Sequence, residues 1–477
     1  MSSLPTIAII GGGLSGAAVA YHLAERSAAA AITVFEPRDT LGAGLAYGTS
    51  DPAHRINVPA AKMSLIPGDD RHFIDWVGRT DAVSDDPEAL AADGNLYVRR
   101  SVFGRYVYEH LQPWIANGRI AHAKANVNSI ERNGGRWRIR TSTGLSTFAD
   151  ILVVATTHPL PEVPRVLAQA LKGMSRLIAN PYDPEALEGV PLDARVTIIG
   201  AGLTMADVVA SLDRRGHRGP ITAISRRGLL PRGHAQQTYQ LFGEFARTPP
   251  LSTVELLREI RRTIERAQAR GVPWQAVIDA VRAQAGLFWP AMPIEERSRL
   301  VRHLRPFWDA HRFRIAPQIQ NILSRRASEG TFLLSPGTIK GAEAHNDRID
   351  LDVLARRASS PTRHEADYVV ITTGPAHGSI IETESHLSTL AQSGWIQADR
   401  LGLGILCNVH GRSISRSGDI VEDLLIAGPL ARGTFGELMG LPQVTDYALA
   451  IAGEVLNELA SRHPARPSAA RMIANAN

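Results

Sequence analysis

At the start of the chain the apolar run Ile7-Ala8-Ile9-Ile10 passes into Gly11-Gly12-Gly13-Leu14-Ser15-Gly16. A helical pattern then covers 17–25, and a second apolar run occupies 31–35. That order predicts a strand, a tight turn, a helix and a second strand. An irregular glycine-rich stretch through Gly42, Gly44 and Gly48 follows. A short amphipathic helix is expected at 69–76 and a longer one at 96–112, with Phe103, Tyr106, Val107 and Leu111 on one face. Three strands are expected next, at 121–127, 137–141 and 151–155, with Asn133-Gly134-Gly135 turning between the first two. The last is apolar throughout and ends in Ala155-Thr156-Thr157, as a strand buried in a parallel sheet would.

The pattern then restarts. Val196-Thr197-Ile198-Ile199 runs into Gly200-Ala201-Gly202-Leu203-Thr204-Met205 and a helix, and the next strand, 221–225, ends in Arg226-Arg227. Strands near 332–334 and 349–353 lead to Val369-Val370-Ile371-Thr372-Thr373-Gly374-Pro375, which repeats the earlier strand ending in small residues. An internal repeat of one supersecondary unit is the simplest account. Between its halves lies a helical block, 252–327, opened by the capping box Ser252-x-x-Glu255, with Pro293 suited to the first turn of a further helix. Its segment 302–312, rich in arginine, histidine and tryptophan, reads either as an arginine-rich helix surface with aromatic core residues or as a lid or substrate-side insertion that closes over the cofactors. A strand at 424–427, the loop Gly428-Pro429-Leu430-Ala431-Arg432-Gly433 and a helix at 442–461 close the chain, with disorder expected past His463.

The two glycine turns carry the candidate chemistry. Gly11 allows the sharp strand-to-helix turn, Gly13 lets the backbone approach a pyrophosphate, and Gly16 lets the helix pack on its strand. Leu14 and Ser15 stand at the helix N-terminus, whose unpaired N–H groups and dipole favour phosphate. Glu36 ends the second strand about twenty residues past the last glycine, where a carboxylate accepts both hydroxyls of an adenosine ribose. It repels a 2′-phosphate, so the first site suits FAD or NAD. The second site has Gly200, Gly202, Leu203 and Thr204 at the turn, Met205 in place of the third glycine, and Arg226 and Arg227 where the acid would stand. Arginines there pair with a 2′-phosphate, which favours NADPH while leaving NADH open.

Composition narrows the rest. The 477 residues point to two or three domains. Cys407 is the sole cysteine, so there is no disulfide framework, thiolate zinc cluster or dithiol pair, which excludes a dithiol disulfide reductase. The net charge of +5 is carried almost wholly by arginine, in clusters at 214–218, 226–232 and 258–270. No nucleic-acid motif or interleaved aromatic residues accompany them, so they read as solvated helix faces and a phosphate site. No histidine pair has metal spacing with a carboxylate. The opening strand is not a signal peptide and no apolar run reaches spanning length, so a cytoplasmic protein is expected.

The chain resembles the two-dinucleotide-binding flavoproteins, and within them the FAD/NAD(P)-binding proteins grouped with bacterial FAD-dependent urate hydroxylase and the flavin N-hydroxylases. The resemblance is carried by Ile9–Gly16, Gly44-Leu45-Ala46-Tyr47, Ile56-Asn57-Val58-Pro59-Ala60 with Met63-Ser64, and Asp70-x-x-Phe73-x-x-Trp76. Further on it is carried by Ile199–Asp207, Arg302–Arg314, Thr373-Gly374-Pro375 and Gly428–Gly433. It implies an α/β fold with two Rossmann-like dinucleotide-binding domains and a helical insertion. The expected limits are a first FAD-binding part at 1–190, an NAD(P)H-binding domain at 191–345 containing the insertion 250–328, and a returning FAD-binding part at 346–477. It further implies a monooxygenase in which NADPH reduces FAD, O₂ adds at flavin C4a, and the hydroperoxide oxygenates a small nitrogenous substrate (amine, hydroxylamine or purine-like). Ala46, Asn57, Met63, Ser64, Val127, Gly374, Gly428 and Pro429 are then expected around the cofactors, and Asn57, Arg432 and Glu437 at the reacting centre, although Asn57 also suits a turn cap. Thr157 replaces a glycine usual after Ala-Thr, Gly436 stands where an aromatic often precedes the acid, and the Baeyer–Villiger signature is absent; these departures bear on substrate rather than fold. A flavin reductase or oxidase passing electrons to a protein carrier or O₂, and a non-catalytic redox sensor, are the competing readings. A homo-oligomer stays open.

Overall fold

In the computed structural model, residues 4–156, 161–247, 252–374 and 377–462 are described. The first apolar runs form a parallel sheet because both of its faces are covered, as uninterrupted Val/Ile/Leu runs require. Its six strands lie in the order Arg412–Ile414, Ile420–Ile426, Ile151–Val154, Thr6–Ile10, Ala31–Phe35, Ile120–Ala123. All neighbours are parallel except the edge hairpin of Arg412–Ile414 with Ile420–Ile426, and Ile10 lies in register with both Phe35 and Val154. Helix Leu14–Glu25, rich in alanine, packs closely against the C-terminal helix Gln443–Arg462.

One expected strand is in fact two. Ile120–Ala123 ends the first sheet, a tight turn follows with Ala125 N–H bonded to the Ala123 carbonyl at 2.9 Å, and Val127–Asn133 starts a separate antiparallel sheet. That sheet continues through Arg136–Thr141 and Ser146–Ala149, and Gly134 and Gly135 (φ +59° and +82°) make the two-residue hairpin between its first strands.

The second main sheet has seven strands in the order Thr362–Ala366, Ile349–Ala355, Phe332–Ala344, Ile221–Ser225, Val196–Ile199, Tyr368–Ile371, Leu177–Ile178. The expected limits at 190/191 and 345/346 therefore need correction. Leu177–Ile178 already pairs at one edge of this sheet. Phe332–Ala344 pairs parallel to Ile221–Ser225 through its first half and antiparallel to Ile349–Ala355 through its second. Residues 349–371 thus complete the second sheet, and the chain returns to the first half only with helix Ser385–Gln392, where the Thr389 hydroxyl accepts from Ile130 N–H at 3.1 Å.

The repeat seen in the sequence is a repeat of geometry. Gly11 N–H bonds the Phe35 carbonyl at 2.9 Å and Gly200 N–H bonds the Ile224 carbonyl at 2.8 Å. Both glycines have positive φ, +99° and +119°. A Cβ would stand 2.6 Å from the Ala155 carbonyl oxygen at Gly11, and 2.6 Å from Thr372 Oγ1 at Gly200. Each half thus closes its turn against the end of its own Ala-Thr or Thr-Thr strand.

The helical block comprises Thr253–Gln268, Trp274–Phe288, Ile294–His303, Arg305–Arg312 and Pro317–Ser328, and the Ser252/Glu255 capping box is formed at both of its bonds. Phe245, Leu256, Val277, Val281, Phe288 and Met292 give the block a core of its own. Its last helix differs from the others. Pro317–Ser328 packs on Leu203–Arg214 and feeds Phe332–Ala344, so it is a crossover helix of the second sheet rather than part of the insertion. Among the described residues no helix is long and apolar enough to cross a membrane. Thr157, Pro375 and the segment past His463 lie outside the described residues.

Candidate active site

The carboxyl ends of the parallel strands in the first sheet, the place where such sheets bind ligands, open on a cavity of about 840 Å³ that the first turn of helix Leu203–Arg214 also reaches. The two glycine turns enter it differently from their own backbones. Gly11 and Gly200 are fold glycines, closed on their strands as described above. Gly13 and Gly202 are open instead: a Cβ on Gly13 would find only Gly44 Cα, at 3.5 Å, and one on Gly202 would find nothing within 4 Å. Gly16 is closed against the Gly11 carbonyl, as its packing role requires. Leu14 and Ser15 line the cavity, and Gly428 (φ +67°) presses on Ser15, where a Cβ would lie 2.8 Å from Ser15 Cβ. The C-terminal loop is thereby held against the first turn, with Pro429 on the wall.

Glu36 is buried at the end of its strand. It accepts from Gly12 N–H at 3.0 Å, from Arg38 N–H at 3.2 Å and from Arg38 Nη1 at 2.9 Å, and it lines the cavity. Ala46, Asn57, Met63 and Val127 all line the wall. Asn57 is not a turn cap: its Oδ1 is buried with no hydrogen-bond partner among the described residues, while its main-chain carbonyl accepts from His234 Nε2 at 3.0 Å. A buried amide oxygen without a partner is a place for a ligand group. Ser64 is turned away, its hydroxyl spent in a local turn with Ile66.

The second turn reaches the cavity through Leu203 and Thr204, whose hydroxyl meets Tyr182 Oη at 2.8 Å. Gly200, Gly202, Arg226, Arg227 and Gly374 lie off it. Arg226 is exposed, and Arg227 is stacked over Phe307 at 5.0 Å. Gly200, Arg226 and Gly374 stand past the carboxyl ends of interior strands of the second sheet, outside the cavity.

Of the three residues expected at the reacting centre, Asn57 lines the cavity. Arg432 and Glu437 are buried but do not line the cavity. Arg432 sits behind the wall near Arg305, Asp309 and Asp399, and burial, with Arg305 next, pushes its guanidinium down to about 10. Glu437 forms a buried ion pair with Arg312, and Arg282 Nε lies 3.7 Å from the same carboxylate. It holds Arg312, a wall residue, in place.

The sequence reading missed the insertion's side of the wall. Asp279 and Arg282 come from helix Trp274–Phe288, Arg312 from the end of Arg305–Arg312, and Phe313 and Arg314 from the residues after it. Asp279 and Arg282, one helical turn apart beside Ala276, Val277, Ala280 and Val281, are charges on an apolar face, a signal that was present. Arg314 pairs with Asp279 through two contacts, at 2.6 and 3.1 Å, and Tyr239 Oη donates to Asp279 at 2.8 Å. Burial would raise the Asp279 carboxyl, but Arg314 outweighs it and holds the group below the usual range. Burial, with Arg314 next, pushes His234 down to about 4, and burial does the same to His386 on the opposite wall. Neither histidine carried a sequence signal, because each is defined by partners far along the chain. Of the segment 302–312, Arg312 is on the cavity wall while Trp308 packs on the helical block's own core.

Residues 8–159 match the family described as FAD-NAD(P)-binding. No curated protein matches the chain. Among solved structures, the ornithine hydroxylase of Pseudomonas aeruginosa superposes with a TM-score of 0.62 at 17% identity, over 96% of this chain and 100% of that one. The fold is that of the two-dinucleotide-binding flavoproteins. The ornithine N-hydroxylase of Kutzneria sp. 744, solved with reduced FAD, NADP⁺ and L-ornithine, gives 0.61 at 16% identity over 97% of this chain and 100% of that one. The FAD-bound cadaverine monooxygenase of desferrioxamine biosynthesis from Erwinia amylovora gives 0.60 at 13% identity over 97% and 95%.

Proposed function

We propose that the protein is an FAD-dependent, NAD(P)H-dependent monooxygenase that oxygenates a small nitrogenous substrate with O₂. One observation carries this reading: a single chamber joins the first glycine turn, the Leu203–Thr204 end of the second turn, and a buried polar wall from the insertion. Two cofactors held there can exchange a hydride next to a substrate sheltered from solvent. The likeness to N-hydroxylating flavoproteins over nearly the whole chain supports the same reading.

The residues present fit FAD. The open backbone at Gly13, the helix N-terminus at Leu14–Ser15, the Glu36 carboxylate and the unpartnered Asn57 Oδ1 match a pyrophosphate, a ribose and a polar ring edge in turn. When bound, FAD supplies electron transfer from the nicotinamide and the activation of O₂. The chain's own part is to orient and to exclude water. Asn57 sets the ring edge, and His234 fixes Asn57 through its carbonyl. The insertion closes the side away from the sheets. At the second turn the open backbone at Gly202 admits a pyrophosphate, and Arg226 and Arg227 take a 2′-phosphate, which favours NADPH over NADH.

Anaerobic stopped-flow tests the reading. Purified protein is reduced with NADPH and mixed with O₂ while the visible spectrum is followed. The expected result is a transient that is neither oxidised nor reduced flavin and that decays faster when the substrate is present. Direct return to oxidised flavin, whatever amine is added, would make the protein a reductase or oxidase. Purified protein without flavin would end both readings.

A further inference from the structure

The insertion's wall holds more positive charge than its carboxylates balance. Three guanidiniums, those of Arg282, Arg312 and Arg314, line this end of the cavity. Arg314 is taken by Asp279, and Arg312 by Glu437. Arg282 is left over. Its Nη2 donates only to neutral acceptors, the Leu441 carbonyl at 2.6 Å and the Gln443 side chain, and the nearest carboxylate is the one already given to Arg312. The Nε atoms of Arg282, Arg312 and Arg314 are all buried without a hydrogen-bond partner among the described residues. Behind the wall, Arg305 and Arg432 face Asp309 and Asp399, so that layer is balanced and gives nothing back. Lys62, which also lines the cavity and lies over the Tyr239 ring at 5.5 Å, adds to the excess. His234 and Tyr239, with pKa values near 4 and 12, add no charge at neutral pH.

A buried guanidinium without its own anion is costly, and wild-type chains resolve that cost with a partner or a ligand. Gly440 puts no side chain over the Arg282 and Arg312 heads: a Cβ there would stand 3.5 Å from Arg312 Nη2 and 3.8 Å from Arg282 Nη2, in ordinary contact. We infer that the substrate of this site is a net anion, with a carboxylate or equally acidic group held by Arg282 and Arg312 and no second ammonium. A spare ammonium would have no free acceptor at this end, since Asp279 and Glu437 are both engaged. This rests on the monooxygenase reading for the reaction, but the charge preference stands on the wall alone.

Two measurements on the purified holoenzyme test it. The first is binding of L-glutamate, L-ornithine and cadaverine, read from the flavin spectrum and from the thermal melt. L-Glutamate should bind at least about tenfold more tightly than cadaverine, and Arg282→Gln should abolish that preference. Ornithine or cadaverine binding as well as glutamate overturns the proposal, as does a panel of small dicarboxylates that leaves both signals unmoved. Should Arg282→Gln instead raise the KM for NADPH about tenfold, the guanidinium belongs to the dinucleotide phosphates and the proposal falls. The second measurement needs no ligand. Gly440→Asp places a carboxylate at the guanidinium heads and should melt higher than Gly440→Asn, while losing glutamate binding; equal melting of the two variants overturns the proposal. Failure of the stopped-flow experiment above leaves both of these readouts intact, so the two ideas fail separately.

Discussion

His234 Nε2 donates to the main-chain carbonyl of Asn57 across 3.0 Å, joining segments 177 residues apart. The bond fixes the tautomer of His234, fastens the loop 54–64 to the segment that leads into the insertion, and leaves the Asn57 amide free for a ligand. Replacing His234 with Phe should cost only about 1 kcal/mol of stability, the usual worth of one such bond. Its larger effect should fall on the flavin. Asn57 loses its support, so the flavin-to-protein ratio after gel filtration should drop and the visible spectrum should shift. Asn57→Ala should do the same with a nearly unchanged melt. Unchanged flavin content in both variants would remove Asn57 from the site.

The glycines separate fold from ligand binding. Gly11→Ala meets both a positive φ and the Ala155 carbonyl, and should cost about 3 kcal/mol or more, or prevent folding outright. Gly13→Ala has room in the protein itself and should fold, but it should purify with little flavin because its methyl stands where the pyrophosphate approaches. Gly202→Ala should keep its flavin and raise the KM for NADPH. Circular dichroism, flavin content and NADPH kinetics on the three variants distinguish the roles.

These contrasts show what could be read from residues in order. Both Rossmann-like units were legible, because each is a local event: an apolar strand, a glycine turn and a helix within one βαβ stretch. The limits of the units were not, because Ile349–Ala355 and Thr362–Ala366 join the second sheet by antiparallel pairing that no local pattern announces. The site divided in the same way. Gly13, Glu36 and Asn57 stand beside their own turns and loops, and all three line the cavity. Glu437 was expected at the reacting centre on the family resemblance, and its carboxylate pairs with Arg312, 125 residues earlier in the chain. Position near a loop predicts proximity; direction depends on partners that only the fold brings together.

The Arg312–Glu437 pair is itself testable. Both side chains are buried, at 5% and 7% exposure, so removing one partner strands the other's charge. Glu437→Gln should lose about 3–5 kcal/mol in chemical denaturation. The double variant Arg312→Met with Glu437→Leu should recover much of that loss, since an apolar pair of similar volume carries no desolvation cost. Its flavin content should stay high while substrate binding falls, because Arg312 lines the cavity and Glu437 does not. Equal losses in the single and double variants would mean that the pair matters through packing rather than charge.

Acid stability follows from His386, which is 4% exposed on the cavity wall with Nε2 3.3 Å from Thr156 Oγ1. Burial pushes its imidazole down to about 4 in the folded protein, against an ordinary value of 6.5 in the unfolded chain. The unfolded state therefore takes up a proton first as the pH falls. No stability is at stake above about pH 6.5, where both states are neutral. Between 6.5 and 4 the unfolded state gains protons that the folded state refuses, so stability falls with pH, by about 2 kcal/mol at pH 5 from this one group. Below about 4 the folded state is protonated as well, and the difference levels off. His386→Asn should be the less stable protein at pH 7.5, through lost packing, yet lose less of its melting temperature than wild type on going to pH 5. Other buried groups contribute equally to both proteins and cancel in that comparison. Parallel melting curves for the two proteins across this window would show that His386 is protonated in the fold, and that the wall around Thr156 is open to water.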